Sequence, residues 1–189
     1  MPDDTTTRPA SNAESAPASA GEPGPPSKSE ASGRAGDEQL QLVTFEVGRE
    51  EFAVDILRVQ EINRMMDLTR VPQSPPEVEG VINLRGKIIP VIDLRRRFGL
   101  QTQERSEHNR IVVIELHGRV IGFIVDRVHE VLRISSSIVD PAPAMVCSID
   151  SQFIAGVGKL DDRLLIMLDL SKLFAADLVE RAASAAQAA

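Results

Sequence analysis

The stretch LVTFEV at residues 42–47 decides the fold, because it recurs 69 residues later as IVVIEL at 111–116. The same shift pairs 52–62 with 121–131 without a gap. A later block repeats at a shift of 76, so the second copy carries about seven extra residues. We place them within 138–151, where two prolines indicate a loop. A fixed shift of this kind indicates an internal duplication.

Each copy opens with two segments in which apolar residues alternate with polar ones. In the first copy these residues are Val43, Phe45, Val47, Phe52, Val54 and Ile56, with a turn at Gly48. Alternation with period two predicts antiparallel strands. A helix-like turn is predicted at 59–62, and two more strands flank a turn at 85–87. Because Pro90 lies inside the last apolar run, we expect that strand to be an edge strand or to carry a bulge.

The sequence therefore predicts a mainly β fold of two tandem barrels with short helices. We expect the first barrel at about 39–105 and the second at about 106–175, and an exchange of strands between them stays open. Residues 1–38 hold half of the 12 prolines and no Leu, Ile, Val or Phe, which predicts a disordered tail. The Ala-rich segment 176–189 is expected to be helical or frayed.

Charge and hydropathy exclude several classes of function. The net charge is −7, and the sequence contains no basic stripe. A nucleic-acid binder is therefore excluded. The one basic run, Arg95 to Arg97, is interpreted as the solvated face of a short helix. No apolar segment is long enough to insert into a membrane and no signal core begins the chain, which favours the cytoplasm. The single cysteine, Cys147, fits a reducing compartment as a small buried hydrophobe.

The residues that could carry chemistry do not form a catalytic pattern. His108, His117 and His129 have no partners at metal-ligand spacing, so we expect surface histidines, no metal site and no cofactor. Asp93 and Asp169 recur between the copies, and each is expected to cap a helix. The prediction is therefore a protein that is not an enzyme. A ligand-binding barrel or weak hydrolase using both aspartates and His129 stays an alternative until a structure shows whether they share a pocket.

Two apolar surfaces are candidates for contacts with other proteins. The second face of the opening strands is partly apolar at Leu42 and Val113, and either the sister barrel or a partner must cover it. Ile56, Val59 and Ile62 recur at spacing three. These three residues are expected to form an apolar rim that either buries itself or receives an amphipathic helix.

Several motifs in order resemble one known family. They are VQEI at 59–62, GVINLRG at 80–86, IPVIDLR at 89–95, FG at 98–99 and GFIVDRV at 122–128. Over about 40–175 the chain resembles a CheW-type chemotaxis coupling protein. The resemblance implies two intertwined SH3-like five-stranded barrels without catalytic activity. It also implies a scaffold between the cytoplasmic tip of a methyl-accepting chemoreceptor and the regulatory domain of the histidine kinase CheA, within membrane-bound receptor arrays.

The same resemblance assigns binding residues motif by motif. The implied receptor-binding groove comprises Val43, Ile56, Val59, Glu61, Ile62, Arg85, Ile111, Val112 and Val131. The implied kinase-binding surface comprises Pro72, Gly80 and Val81. Two alternatives stay open here: a coupling protein of a chemosensory system whose output is not motility, and an isolated kinase regulatory domain of the same fold.

Overall fold

A computed structural model of the chain describes residues 38–142 and 149–187. Its strands are β1 (Gln39–Val47), β2 (Glu50–Asp55), β3 (Val59–Arg64), β4 (Val78–Leu84), β5 (Lys87–Asp93), β6 (Arg110–Leu116), β7 (Arg119–Val125), β8 (Arg127–Ser135), β9 (Val139–Asp140), β10 (Ile154–Lys159) and β11 (Leu164–Leu168). Its α-helices are α1 (Leu94–Arg97), α2 (Leu170–Leu173) and α3 (Ala176–Gln187). Except for Glu38, the predicted tail lies outside the described residues, and so does Cys147.

The strands form two sheets, which confirms the predicted mainly β fold. The order is β8-β1-β2-β11-β10-β9 in the six-stranded sheet and β3-β6-β7-β5-β4 in the five-stranded sheet. Both sheets therefore combine strands from both sequence copies. The first copy contributes β1 and β2 to one sheet and β3 to β5 to the other. Strand β9, at the edge of the six-stranded sheet, is only two residues long.

The two opening hairpins are antiparallel, as the alternation predicts. β1 pairs with β2, with Val43 opposite Val54, and β6 pairs with β7, with Val112 opposite Phe123. The β1–β2 turn needs a left-handed backbone conformation, with φ of 74° at Gly48. Glycine adopts this conformation without steric cost, so the turn residue and the hairpin register agree.

Two local predictions are wrong. Residues 59–62 belong to strand β3, and only the preceding Ile56–Arg58 form a helical turn, of the 3₁₀ type. A bulge between Val59 and Glu61 places Val59 opposite Ile114 and Ile62 opposite Val112, so both side chains lie on the face of β3 that borders the main core. The two residues therefore share one apolar edge, which a strand carries and not a helix-like turn. Strand β5 is an interior strand and not an edge, and the bulge in its pairing with β4 lies between Val78 and Gly80 on the β4 side, not at Pro90. Pro90 is tolerated because pairing with β7 begins only at Val91.

One large apolar core joins the two sheets. Phe45 of β1 and Phe123 of β7 lie 5.6 Å apart between ring centroids, and Phe123 lies 5.6 Å from Phe174 after α2. The second faces of the sheets are also covered by the chain itself. Leu42 packs with Leu165 in one small cluster, and a second cluster surrounds Val113. The apolar second face therefore belongs to the interior and leaves no open surface for a partner.

Candidate functional site

The edge strand β3 presents an apolar side chain beside an ion pair. Ile62 is 40% exposed and lies opposite the buried Val112 of β6. Next to it, Glu61 Oε2 accepts a hydrogen bond of 2.9 Å from Nη2 of Arg85, which lies in the β4–β5 turn. We call Glu61, Ile62 and Arg85 the first patch. Its ion pair ties the edge strand to the hairpin at the other side of the same sheet.

The six-stranded sheet repeats this arrangement on its own edge strand, β8. Val131 is 51% exposed and lies opposite the buried Val43 of β1. Arg163 Nη2 donates a hydrogen bond of 3.0 Å to Glu130 Oε1. This bond and the charge of Glu51 raise the pKa of Arg163 above its ordinary value. We call Glu130, Val131 and Arg163 the second patch, and it matches the first because the duplication repeats the edge strand.

The predicted receptor-binding set divides into exposed and covered residues. Val43, Ile111 and Val112 are buried in the core, because their strands are interior and both faces are packed. They support the patches from beneath and offer no surface to a partner. Ile56 and Val59 are half-buried against the main core. The set that solvent reaches is therefore Ile56, Val59, Glu61, Ile62, Arg85 and Val131.

The predicted kinase-binding set is also mostly covered. Pro72 is exposed, whereas Val81 is buried and packs with Val71 and Ala186 of α3. Gly80 is buried because the backbone of Thr69 crosses it: a Cβ there would stand 2.6 Å from the Thr69 carbonyl oxygen. Of this set, only Pro72 presents a side chain to solvent.

The interpretation of Arg95 to Arg97 as a solvated face is wrong. Arg95 donates to both carboxylate oxygens of Asp126, with Nη2 to Oδ2 at 2.7 Å and Nε to Oδ1 at 2.9 Å. Arg96 pairs with Glu79 at 2.7 Å. Arg97 donates to the carbonyl oxygen of Leu173 at 2.9 Å and lies over the Phe153 ring at 4.7 Å. All three side chains hold elements together, since the short helix is packed among acidic groups that the sequence places far away.

The candidate catalytic groups do not come together. Asp93 and Asp169 cap α1 and α2 by accepting backbone N–H bonds, as predicted, and they follow strands of different sheets. All three histidines are exposed. Among the described residues, no group of three or more His, Cys, Asp or Glu side chains could hold a metal ion. The hydrolase alternative is dropped because both aspartates are engaged as helix caps after strands of different sheets.

The helices of the described segments have at most 12 residues. None of them is long and apolar enough to cross a membrane.

Sequence reasoning missed several residues that the structure exposes. Arg163 and Glu130 were not predicted as a pair, and Ile88 and Leu164 are both half-exposed. The repeat contained the signal for most of them. A shift of 69 relates Glu61 to Glu130, and a shift of 76 relates Ile88 to Leu164. Projecting Glu61 and Ile62 onto the other copy gives Glu130 and Val131, whereas Arg85 projects onto Asp161, so Arg163 could not be found in this way.

Comparison with known proteins gives a consistent result. The CheW-like domain family model matches residues 41–178. Chemotaxis protein CheW of Klebsiella aerogenes is 36% identical over 137 residues, covering 72% of this chain and 82% of that protein. Chemotaxis protein CheW of Helicobacter pylori is 37% identical over 141 residues, covering 75% and 85%.

A solved structure gives the same relationship. The crystal structure of the scaffolding protein TtCheW from Thermoanaerobacter tengcongensis superposes with a TM-score of 0.69 at 40% sequence identity. The match covers 75% of this chain and 96% of that one. Sequence family, curated relatives and fold therefore agree over the same region. The chain belongs to the CheW family and is a non-enzymatic chemotaxis scaffold protein.

Proposed function

We propose that this scaffold bridges the cytoplasmic tip of a methyl-accepting chemoreceptor and the regulatory domain of a CheA-type histidine kinase. The receptor contacts the first patch, the half-buried Ile56 and Val59, and Val131 of the second patch. The kinase domain contacts the surface beside Pro72. This function places the protein in the cytoplasm, at membrane-bound receptor arrays and without inserting into the membrane. The family motifs support the choice of partners.

The single observation that supports the receptor site is the exposed position of Ile62 on edge strand β3. An aliphatic side chain that is 40% exposed lies on an edge strand, beside the Glu61–Arg85 ion pair. An apolar centre with a polar rim is the usual anatomy of a protein interface. Glu61 and Ile62 are consecutive in β3 and point to opposite faces of the sheet, so a partner reaches both only across the exposed strand edge. An amphipathic helix at this edge would bury its apolar stripe on Ile62 and place polar groups near the ion pair. The patch therefore suits a helical partner with both apolar and charged side chains.

Titration calorimetry tests the bridging function directly. The protein is titrated with a receptor-tip fragment, with a CheA regulatory domain, and with the second partner after saturation by the first. We expect both to bind and neither to displace the other, because the two proposed sites share no residue. Failure to bind either partner, or mutual displacement, would contradict the proposal.

Replacing Ile62 by aspartate tests the receptor site. A carboxylate buried in an apolar contact without a partner costs several kcal/mol, so receptor-tip affinity should fall by about tenfold or more. Ile138→Asp is the matched control, since Ile138 is 36% exposed and lies outside the predicted set. The affinity of the Ile138→Asp variant for the receptor tip should stay within about twofold of the wild-type value. If Ile62→Asp unfolds the protein, Ile62 is a core residue and the receptor site is wrongly assigned.

A further inference from the structure

The chain passes from one sheet to the other at Asp126, between β7 and β8. β7 belongs to the five-stranded sheet and β8 to the six-stranded sheet. At this crossing the N–H of Asp126 donates to the carbonyl oxygen of Glu46 at 2.9 Å. The Asp126 carboxylate accepts from the N–H of Gly48 at 2.7 Å. Both partners belong to the β1–β2 hairpin, so Asp126 is fixed to the six-stranded sheet.

Arg95 fixes the same carboxylate to the other sheet. It lies on α1, directly after β5, and grips Asp126 through two nitrogens. Its Nη1 also donates to the Gln101 carbonyl oxygen at 3.1 Å. Side-chain exposure is only 17% for Arg95 and 22% for Asp126, so solvent screens the pair less than a surface pair. The hydrogen bonds with Asp126 raise the pKa of Arg95, which keeps the guanidinium charged.

The apolar core holds the two sheets together, but hydrophobic attraction alone does not select one relative orientation of the sheets. Hydrophobic attraction is non-directional, although close packing and the preferred geometry of aromatic pairs restrict the core. A bidentate arginine–carboxylate pair, in contrast, has a fixed planar geometry. The duplication does not repeat this pair. A shift of 76 relates Arg95 to Ser171 and a shift of 69 relates Asp126 to Leu57, which is 88% exposed. The bidentate pair therefore occurs at one of the two equivalent crossings, and Arg97, through the Leu173 carbonyl oxygen, adds a second polar link between the same two sides.

Asp126 lies directly before β8, the strand that carries the second patch. β8 is an edge strand held along one side by β1, and its pairing is interrupted by a bulge between Val43 and Phe45. Its position depends on that irregular ladder and on the anchor at Asp126. Val131 lies five residues beyond the anchor, about 17 Å along an extended strand.

We propose that Arg95 is a positioning residue, which through Asp126 holds the two sheets in one relative orientation and so aligns the two patches for a single partner. The part concerning the partner rests on the proposed receptor function. The orientation itself is a property of the free protein. The two can therefore be tested separately.

The orientation is measured without any partner, by the distance between spin labels on the two sheets. Labels are placed at two exposed positions, 87 at the start of β5 and 161 in the β10–β11 turn, after Cys147→Ser removes the single native cysteine. We expect one narrow distance distribution for the parent protein and a broadened or shifted one for Arg95→Met. Arg96→Met is the matched control, because Arg96 lies on the same helix and pairs with Glu79 within the five-stranded sheet. It should leave the distribution unchanged.

Receptor-tip affinity gives the second readout. Arg95→Met should weaken it by about tenfold, and Arg95→Lys, which keeps the charge and loses the planar fork, should lie between that variant and the parent. If Arg95→Met does not fold, Asp126→Asn takes its place in both measurements. An unchanged distance distribution in the variant, or equal broadening in Arg96→Met, overturns the proposal. If the parent protein binds no receptor tip, the proposed function fails while the distance measurement still decides the role of Arg95.

Discussion

Gly80→Ala should lower the free energy of unfolding more than Gly86→Ala, the other glycine-to-alanine change in the β4–β5 region. An ideal Cβ at Gly80 would stand 2.6 Å from the carbonyl oxygen of Thr69 and 3.1 Å from its carbonyl carbon. Real Cβ atoms essentially never approach another heavy atom closer than 3.0 Å. The obstacle is backbone and cannot rotate away. The Thr69 segment or strand β4 must therefore move.

The movement also affects two hydrogen bonds. The N–H of Thr69 donates to the carbonyl oxygen of Val81 at 3.0 Å, and the N–H of Val81 donates to that of Thr69 at 2.8 Å. A retreat of about 0.4 Å or more, enough to relieve the overlap, lengthens both bonds beyond their favourable range. Overpacking costs about 1–3 kcal/mol. With about 1 kcal/mol for each of the two weakened bonds, the expected loss of unfolding free energy is about 3–5 kcal/mol.

Urea denaturation followed by far-ultraviolet circular dichroism measures this loss, since the chain has no Trp or Tyr for fluorescence. Gly86→Ala is the control. Nothing lies within 4 Å of its Cβ, but its φ of 82° is left-handed, so it should cost about 1–2 kcal/mol. The reasoning is refuted if Gly80→Ala is the milder of the two. If it keeps full stability and loses kinase binding, Gly80 is a direct contact residue instead.

Two further substitutions test buried polar groups. Thr44→Val should lower the free energy of unfolding by about 1–3 kcal/mol in urea denaturation. The buried Thr44 hydroxyl donates to the carbonyl oxygen of Glu130 and accepts from the N–H of Glu130 at the β1 bulge. Thr44→Ser, which keeps the hydroxyl, should lose less. Asp169→Ala should cost about 0.5–2 kcal/mol at neutral pH through loss of the α2 cap, and Asp169→Asn should restore most of it.

The Asp169 cap also predicts a pH dependence. Burial would raise the pKa of Asp169, but hydrogen bonds from the side chain and backbone of Lys172 outweigh it and lower the pKa. A carboxyl with a lowered pKa stabilises the fold above its unfolded value, and this contribution is lost as pH falls through the folded value. The stability difference between wild type and Asp169→Ala should therefore persist at neutral pH and shrink below about pH 4. A difference that grows on acidification would contradict the cap.

The duplication and the hairpins could be predicted because their signals are local. Alternation at Val43, Phe45 and Val47 requires only that one face be buried, and a glycine at position 48 allows the turn. The helix caps at Asp93 and Asp169 were predictable for the same reason. Each depends on a few residues next to one another in the chain.

The site could be predicted only in part. Glu61, Ile62 and Arg85 were selected from family motifs, and they lie together at the surface. Val43 and Val112 were selected on the same grounds, but they are buried beneath the patches. A motif records which residues matter without separating those that touch a partner from those that hold the contact residues in place.

The sequence by itself determined the strands, their duplication and the absence of a catalytic pattern, because these follow from periodicity and composition along the chain. The pairing of β3 with β6 of the other copy, and the use of Arg95 and Arg97 to join distant elements, follow only from the tertiary structure. Val81, too, is covered by a helix that begins 95 residues later, at Ala176. Such contacts depend on which distant elements fill the space around a residue, and side-chain type alone does not encode that.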